Sequence, residues 1–279
     1  MGVAKTPRFG ERQTCGIIEF NAIKEASGLA ASRMNPGVLW THNDSGNEAR
    51  VYAISDKGRH LGVFTILGAR NRDWEDMAIG PGPQEGRQYL YLADIGDNKA
   101  KREKKTIYRV AEPVVPAAGE PIESALSGVE ELRLRYPDGN HNAETLMVDP
   151  LTRDLYIVTK QERRVRCYRA PYPQSTEQIN TLEDLGELPL YDVTSGDISP
   201  SGREILIKAY DTIKYWPRGE GQSIWEALQQ ESRRLPYEIE PQGEAVAWAS
   251  DESGYYTLSE ERDGIPAFLY FYPRLADKD

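Results

Sequence analysis

The hydrophobic and polar positions of the chain fall into a recurring unit in which polar residues lead directly into a short apolar run. The unit is clearest as HNAETLMVD at 141–149. It returns as NAIKEASGLA at 21–30, DWEDMAI at 73–79, TSGDIS at 194–199 and QGEAVAW at 242–248. Superposed on the central apolar residue, the copies place Leu29, Met77, Leu146, Ile198 and Val246 in one column. Two positions earlier stand Ser27, Glu75, Glu144, Gly196 and Glu244, and two before those Glu25, Asp73, Asn142, Thr194 and Gln242. Residues two apart share a strand face, so each copy presents a mostly polar pair and then an apolar residue in one direction.

Each copy opens a series of short strands separated by turn residues. The first predicts strands at 28–30, 38–42, 50–54 and 61–66, with Asn35-Pro36-Gly37, 44–47 and Asp56-Lys57-Gly58 as turns. The second predicts 76–79, 88–93, 106–110 and 129–135, and its proline-rich stretch 113–119 reads as an insertion. The third predicts 144–148, 154–158, 165–168 and a weak strand at 185–190. The fourth predicts 197–199, 204–208 and 212–216, followed by a short helix over 223–232 with Ser223 as its cap. The fifth predicts 244–248, 254–258 and 267–272 and lacks an outer strand, while residues 15–20 form an early β segment without a hairpin partner.

Meanders of about four strands repeated around a ring are the units of a β-propeller. The expectation is therefore an all-β, five-bladed propeller forming one domain over 1–279. Its blades lie near 21–70, 71–139, 140–190, 191–238 and 239–274, the last completed by strand 15–20, with six blades as the structural alternative. Pairing the first and last segments would hide two sheet edges.

Composition narrows the partners. The 279 residues are 39% hydrophobic and 28% charged, with 24 Gly and 18 Pro, as in a folded, turn-rich protein. A formal charge of -10 argues against nucleic acid or an anionic membrane as the main partner. The basic stretches 99–105 and 163–164 read as solvated turns. Two cysteines, Cys15 and Cys167, have no neighbours at metal or redox spacing. The start MGVAKTPRFGERQ has no apolar run, and the Met1-Gly2 match to an acylation pattern is weakened by Lys5 and Thr6. A cytoplasmic protein is the simple inference, with secretion open if a leader was removed.

In a propeller the starts of the innermost strands converge. Glu75, Glu144 and Glu244 would then face a common axis, with Glu25, Asp73, Asn142 and Gln242 next along and Asp197 able to turn in at the fourth position, where Gly196 supplies no ligand. Converging carboxylates repel one another unless protons or a cation neutralise them. Oxygen ligands suit Ca2+, with Mg2+ as the alternative, better than zinc or copper. The ends of the second strands supply another column, Asp44, Ile95, Lys160, Tyr210 and Glu260, preceded by Asn43, Asp94, Thr159, Ala209 and Ser259. Asp44, Asp94, Tyr210 and Glu260 are candidate substrate contacts, and Lys160 beside Glu144 is either a reactive pair or a structural ion pair. Trp248 shares a strand face with Glu244 and is a candidate stacking surface if it reaches the channel mouth, or a packing residue if it does not. His42 and His141 are candidate bases or ligands near neutral pH. Phosphate-loop, dinucleotide and nucleophile-elbow motifs are absent.

The motifs LWTHNDSG at 39–46, DWEDMAI, YLADIGDN at 91–98 and HNAETL at 141–146 resemble those of bacterial β-propeller proteins. The Glu-x-Leu form of the first strand is similar to that of phytase-like esterase propellers. More distantly, the acidic ring resembles calcium-dependent gluconolactonase and paraoxonase propellers. The resemblance implies a channel calcium that polarises an ester, lactone or phosphoester, with Glu75, Glu144 and Glu244 on the metal side and Asp76, His42 or His141 as bases. The lactonase pattern has more blades and more Asn/Asp pairs than this chain. The leading expectation is a divalent-cation-dependent hydrolase of a small polar substrate. The alternatives are a non-catalytic sugar- or metabolite-binding propeller and a protein-interaction scaffold.

Overall fold

The computed structural model describes residues 7–160 and 163–276, so the acylation pattern at the start of the chain lies outside the described residues. Five sheets follow one another along the chain, antiparallel except for one short parallel strand at the edge of each of the first two. Their innermost strands are Ala26–Ala31, Trp74–Pro81, Ala143–Val148, Val193–Ile198 and Gly243–Trp248. Each packs against the next, and the fifth returns to the first, so the sheets form a five-bladed β-propeller. Four of these strands are buried at every residue, and Trp74–Pro81 at all but its last. Small residues meet the crowding at the axis. A Cβ on Gly28 would come within 2.5 Å of His42 Nε2 and 2.7 Å of the Met77 nitrogen.

Side chains from facing sheets fill each junction, which is why the strands read as apolar with few polar interruptions. Trp40, Phe64 and Trp74 anchor the core between blades one and two, and Tyr91, Tyr136 and Tyr168 that between blades two and three. Trp216 and the helix Ile224–Leu228 close the space between blades three and four. Ser223 caps this helix through a capping box with Glu226, and the element is shorter than the expected 223–232. Phe9, Tyr215 and Trp248 pack between blades four and five, and Leu29, Ile54 and Leu269 between five and one.

Gln13–Ile17 pairs antiparallel with the outer strand of the last blade, Phe268–Leu275, and Arg8–Phe9 extends that pairing. The early strand therefore closes the ring, two residues earlier than its pattern indicated. Two short strands reach across blade boundaries in a way the periodicity did not foresee. Ile122–Leu126, just beyond the proline-rich stretch, pairs parallel with His60–Ile66 of blade one, and Asn180–Thr181 pairs parallel with Glu130–Arg135 of blade two. The apparent insertion thus clasps the neighbouring blade.

Polar side chains also latch the innermost strands together. Ser27 donates to the Glu75 carbonyl at 2.7 Å, and the Asp197 carboxylate accepts from the Trp248 nitrogen at 2.8 Å. Asp76 links three blades: it accepts from the Met77 nitrogen at 2.9 Å, the Leu146 nitrogen at 3.0 Å and Ser195 Oγ at 3.2 Å. Blades two and four are not neighbours, so the last bond crosses the axis of the ring. Replacing Asp76 by Ala leaves these donors buried without partners, and we expect a loss of about 2–3 kcal/mol in urea-unfolding free energy. Unchanged stability with lost activity would instead favour the base role.

Candidate functional site

One backbone irregularity builds the mouth of the channel. In every innermost strand the pairing with the second strand skips a residue: Ser27, Glu75, Glu144, Thr194 and Glu244 each sit in a β-bulge. A bulge leaves its extra residue outside the ladder and re-aims its side chain. The fourth copy is therefore corrected by two positions. Thr194, not Gly196, is the structural counterpart of the glutamates, and Asp197 lies deeper, where burial pushes its carboxyl up to about 6 against the pull of Arg33.

The second column needed one adjustment. Asn43, Asp94, Thr159, Ala209 and Ser259 each pair with the first residue of an innermost strand. Just beyond them, the nitrogens of Asp44, Lys160 and Glu260 donate to the carbonyls of Glu25, Asn142 and Gln242. In blade two it is Gly96, not Ile95, that makes the corresponding bond, to the Asp73 carbonyl at 3.2 Å. A Cβ on Gly96 would stand 1.8 Å from Glu75 Oε1 and 2.7 Å from Asp73 Oδ2, so these carboxylates pack directly over its backbone.

The result is an acidic cup. Asp44, Asp73 and Glu75 can each place a carboxylate oxygen so that all lie within 4.8 Å of one another. Glu75 is 6% exposed and has no hydrogen-bond partner among the described residues. Its carboxyl is held well above the usual range by burial and then by the charges of Glu144, Asp44 and Asp73. Burial likewise raises Asp73, and it pushes Asp44 up to about 6. Asp44 and Asp73 are both missing from the expected ligand set, Asp44 having been expected as a substrate contact. Asp73 stood in the column two positions before Glu75.

Opposite this triad runs a bonded chain. Lys160 Nζ contacts Glu144 Oε2 and donates to Tyr210 Oη at 2.9 Å, and Tyr210 donates to Glu244 Oε1 at 2.9 Å. Gln242 Nε2 donates to the same Glu244 oxygen at 2.8 Å, and Asn142 Nδ2 to Glu144 Oε1 at 3.4 Å. Burial raises Glu144, with the Lys160 ammonium pulling against it, and Lys160 is held firmly protonated despite its own burial by Glu144 and Glu244. Glu260 stands on the rim, pushed up to about 8 by burial and by the charges of Glu244, Asp44 and Glu25.

The other proposed residues lie elsewhere. His42 is wholly buried, with Nδ1 on the Asn43 carbonyl at 3.0 Å and its ring edge-on to Trp74, and burial lowers it to about 4. Asp76 is likewise sealed below the cup. His141 turns to Asp138 at 3.2 Å and Tyr168 at 3.0 Å. Asp94 is engaged by Arg102 at 2.7 Å. Trp248 does not reach the mouth: it is fully buried between Phe9, Tyr215 and Tyr255, with Arg274 over its ring. Alternation from Glu244 misplaced it because the bulge intervenes.

Fold and site together define a five-bladed propeller with an acidic cup at one end of its axis. No protein-family model matches the chain, and no curated protein matches it. Among solved structures, similarity extends over nearly the whole chain to a luciferin-regenerating enzyme, at 13% identity, 97% of this chain and 96% of that one, with a TM-score of 0.47. U3-55K is similar at 8% identity over 96% of this chain and 100% of that one, with a TM-score of 0.45. Likeness at this level assigns no activity. Among the described residues, no helix is long and apolar enough to cross a membrane.

Glu260 gives a pH test of the cup. Its folded pKa lies above that of an unfolded glutamate, so its contribution is fully present below the unfolded value and is lost as pH rises through about 8. Relative to Glu260→Gln, the native chain should lose roughly 1–2 kcal/mol of unfolding free energy between about pH 5 and about pH 9, after discounting for solvent screening. Parallel stability profiles for the two proteins would show that Glu260 is not perturbed.

Proposed function

We propose that the cup binds a divalent cation, Ca2+ or Mg2+, and that the protein is a cation-dependent hydrolase of a small polar substrate carrying an ester, lactone or phosphoester. The observation that carries this reading is Glu75, a buried carboxylate without a hydrogen-bond partner among the described residues, packed with Asp73 over a residue that has no Cβ and converging with Asp44. A carboxylate in that position is unfavourable unless a proton or cation compensates it, and a donor set made of carboxylate oxygens suits hard cations. Asp44, Asp73 and Glu75 would hold the ion. Of the expected ligands Glu75, Glu144, Asp197, Glu244 and Asn142 this reading keeps Glu75, because Lys160, Tyr210, Asn142 and Gln242 already bond Glu144 and Glu244 and Asp197 lies deeper.

When bound, the cation supplies Lewis-acid polarisation of a carbonyl or phosphoryl oxygen. The remaining roles belong to side chains. Lys160, held by Glu144 and oriented by Tyr210, keeps its proton and offers positive charge to an oxygen that becomes anionic. Tyr210 fixes the distance between the Lys160 ammonium and Glu244. Glu260, with its carboxyl near neutral in affinity for protons, is the group suited to take a proton from water and return it to a leaving oxygen. His42 and Asp76, sealed beneath the cup, support the blades.

Calorimetric titration of the full chain with Ca2+ and Mg2+ tests the reading. Glu75→Gln should weaken binding at least a hundredfold, while stabilising the cation-free fold by about 1 kcal/mol through removal of a repelled buried charge. Hydrolysis of a panel of esters, lactones and phosphoesters should be lost in chelator. Absence of binding by either cation at millimolar concentration would sink the proposal.

A further inference from the structure

The substrate's own charge follows from what borders the triad. Asp73 faces two ways: inward to Asp44 and Glu75, and outward into a cleft of about 520 Å³ lined also by Ser45, Arg72, Asp97, Lys99, Lys101 and Arg102. Two of the acidic and basic groups here are already committed. Asp97 Oδ2 accepts from Lys105 Nζ at 2.7 Å and from the Arg102 nitrogen at 2.6 Å, and the Arg102 guanidinium is engaged by Asp94 and by the Gly96 carbonyl at 2.5 Å. That leaves Arg72, Lys99 and Lys101 without an ion-pair partner among the described residues. In a chain of charge -10, these cations line the cleft that Asp73 borders.

Resting on the cation-dependent reading above, we propose that the Arg72, Lys99 and Lys101 cleft is an anion-binding subsite, so that the substrate is a small molecule bearing a phosphate or carboxylate group beside the bond that lies over the triad. A divalent ion held by three carboxylates leaves the triad with net negative charge. It would turn away an anionic substrate by simple Coulomb repulsion. Cations lining the same cleft as Asp73 reverse that sign locally, and a guanidinium with two ammonium groups matches the several oxygens of a phosphate or carboxylate. A neutral substrate gains nothing from them. The anion serves as a handle that fixes orientation and takes no part in bond cleavage.

The test uses the full chain saturated with Mg2+ at about 150 mM salt, where exposed charges farther apart than about 8 Å are screened. Methylphosphonate and acetate are titrated calorimetrically into native protein, into the triple variant Arg72→Ala, Lys99→Ala, Lys101→Ala, and into a control, Arg70→Ala with Lys104→Ala, on the far side of Arg102. Native protein and control should bind at least one probe equally, with tenfold or greater weakening in the triple variant. Preference for methylphosphonate identifies a phosphate handle, and preference for acetate a carboxylate. Equal binding to all three proteins, or binding of neither probe to native protein, overturns the subsite. Mg2+ titration in the absence of either probe is read separately: it should be the same for native and triple variant, and its failure in both counts against the cation reading, leaving the subsite to be judged by the probe titrations without metal.

Discussion

The extra residue that each innermost strand inserts at its mouth end governs what this ring can do. Without the bulge, strict alternation would send Glu75, Glu144 and Glu244 into a packed junction between blades, where an unpaired charge is not tolerated. With it, the pairing resumes one residue later, the apolar side chains still meet the neighbouring blade, and the extra residue is free to face the axis. The bulge recurs in all five strands, whether the residue is Glu, Ser or Thr. It is therefore a property of the architecture, which the sequence then uses for charge at three of the five positions.

Much of the architecture was legible because it depends on patterns that repeat. Turn residues between short apolar runs marked the strands, and the unpartnered early strand indicated how the ring closes. The bulge was not legible, since one skipped residue leaves no compositional trace, and Trp248 was carried by alternation to a face it does not occupy. Gly196 was aligned with the glutamates although Thr194 occupies that place, because the fourth copy has no carboxylate at the bulge to mark its register. The strand Ile122–Leu126 escaped notice for another reason: its partner, His60–Ile66, lies in a different blade, and pairing across a long separation has no local signature.

The candidate site was legible in part. Glu75, Glu144, Asp44, Lys160, Tyr210 and Glu260 do come together, because two columns of the repeat end at the same rim. Their division of labour was not readable, since it depends on which carboxylates already have partners. Glu144 and Glu244 are bound into a chain through Lys160 and Tyr210, whereas Glu75 is not. The histidines were attractive for their chemistry alone, yet His42 is enclosed by the blade junction and His141 by Asp138 and Tyr168.

The cup is consequently divided into two electrostatic halves by the order of its blades. Blades three to five contribute Glu144, Lys160, Tyr210 and Glu244, whose charges are largely satisfied within the protein and which can hold a fixed geometry in the absence of ligand. Blades one and two contribute Asp44, Asp73 and Glu75, which repel one another, and the last two are packed against the Gly96 backbone, which has no side chain to relieve them. A preorganised half and a frustrated half make unequal demands on a ligand. Binding energy is gained mainly where charge is uncompensated, and orientation is set mainly where the bonds already exist. Asp73 shares its cleft with Arg72, Lys99 and Lys101, so under the proposed reading a ligand that spans from that cleft toward Lys160 would touch both halves.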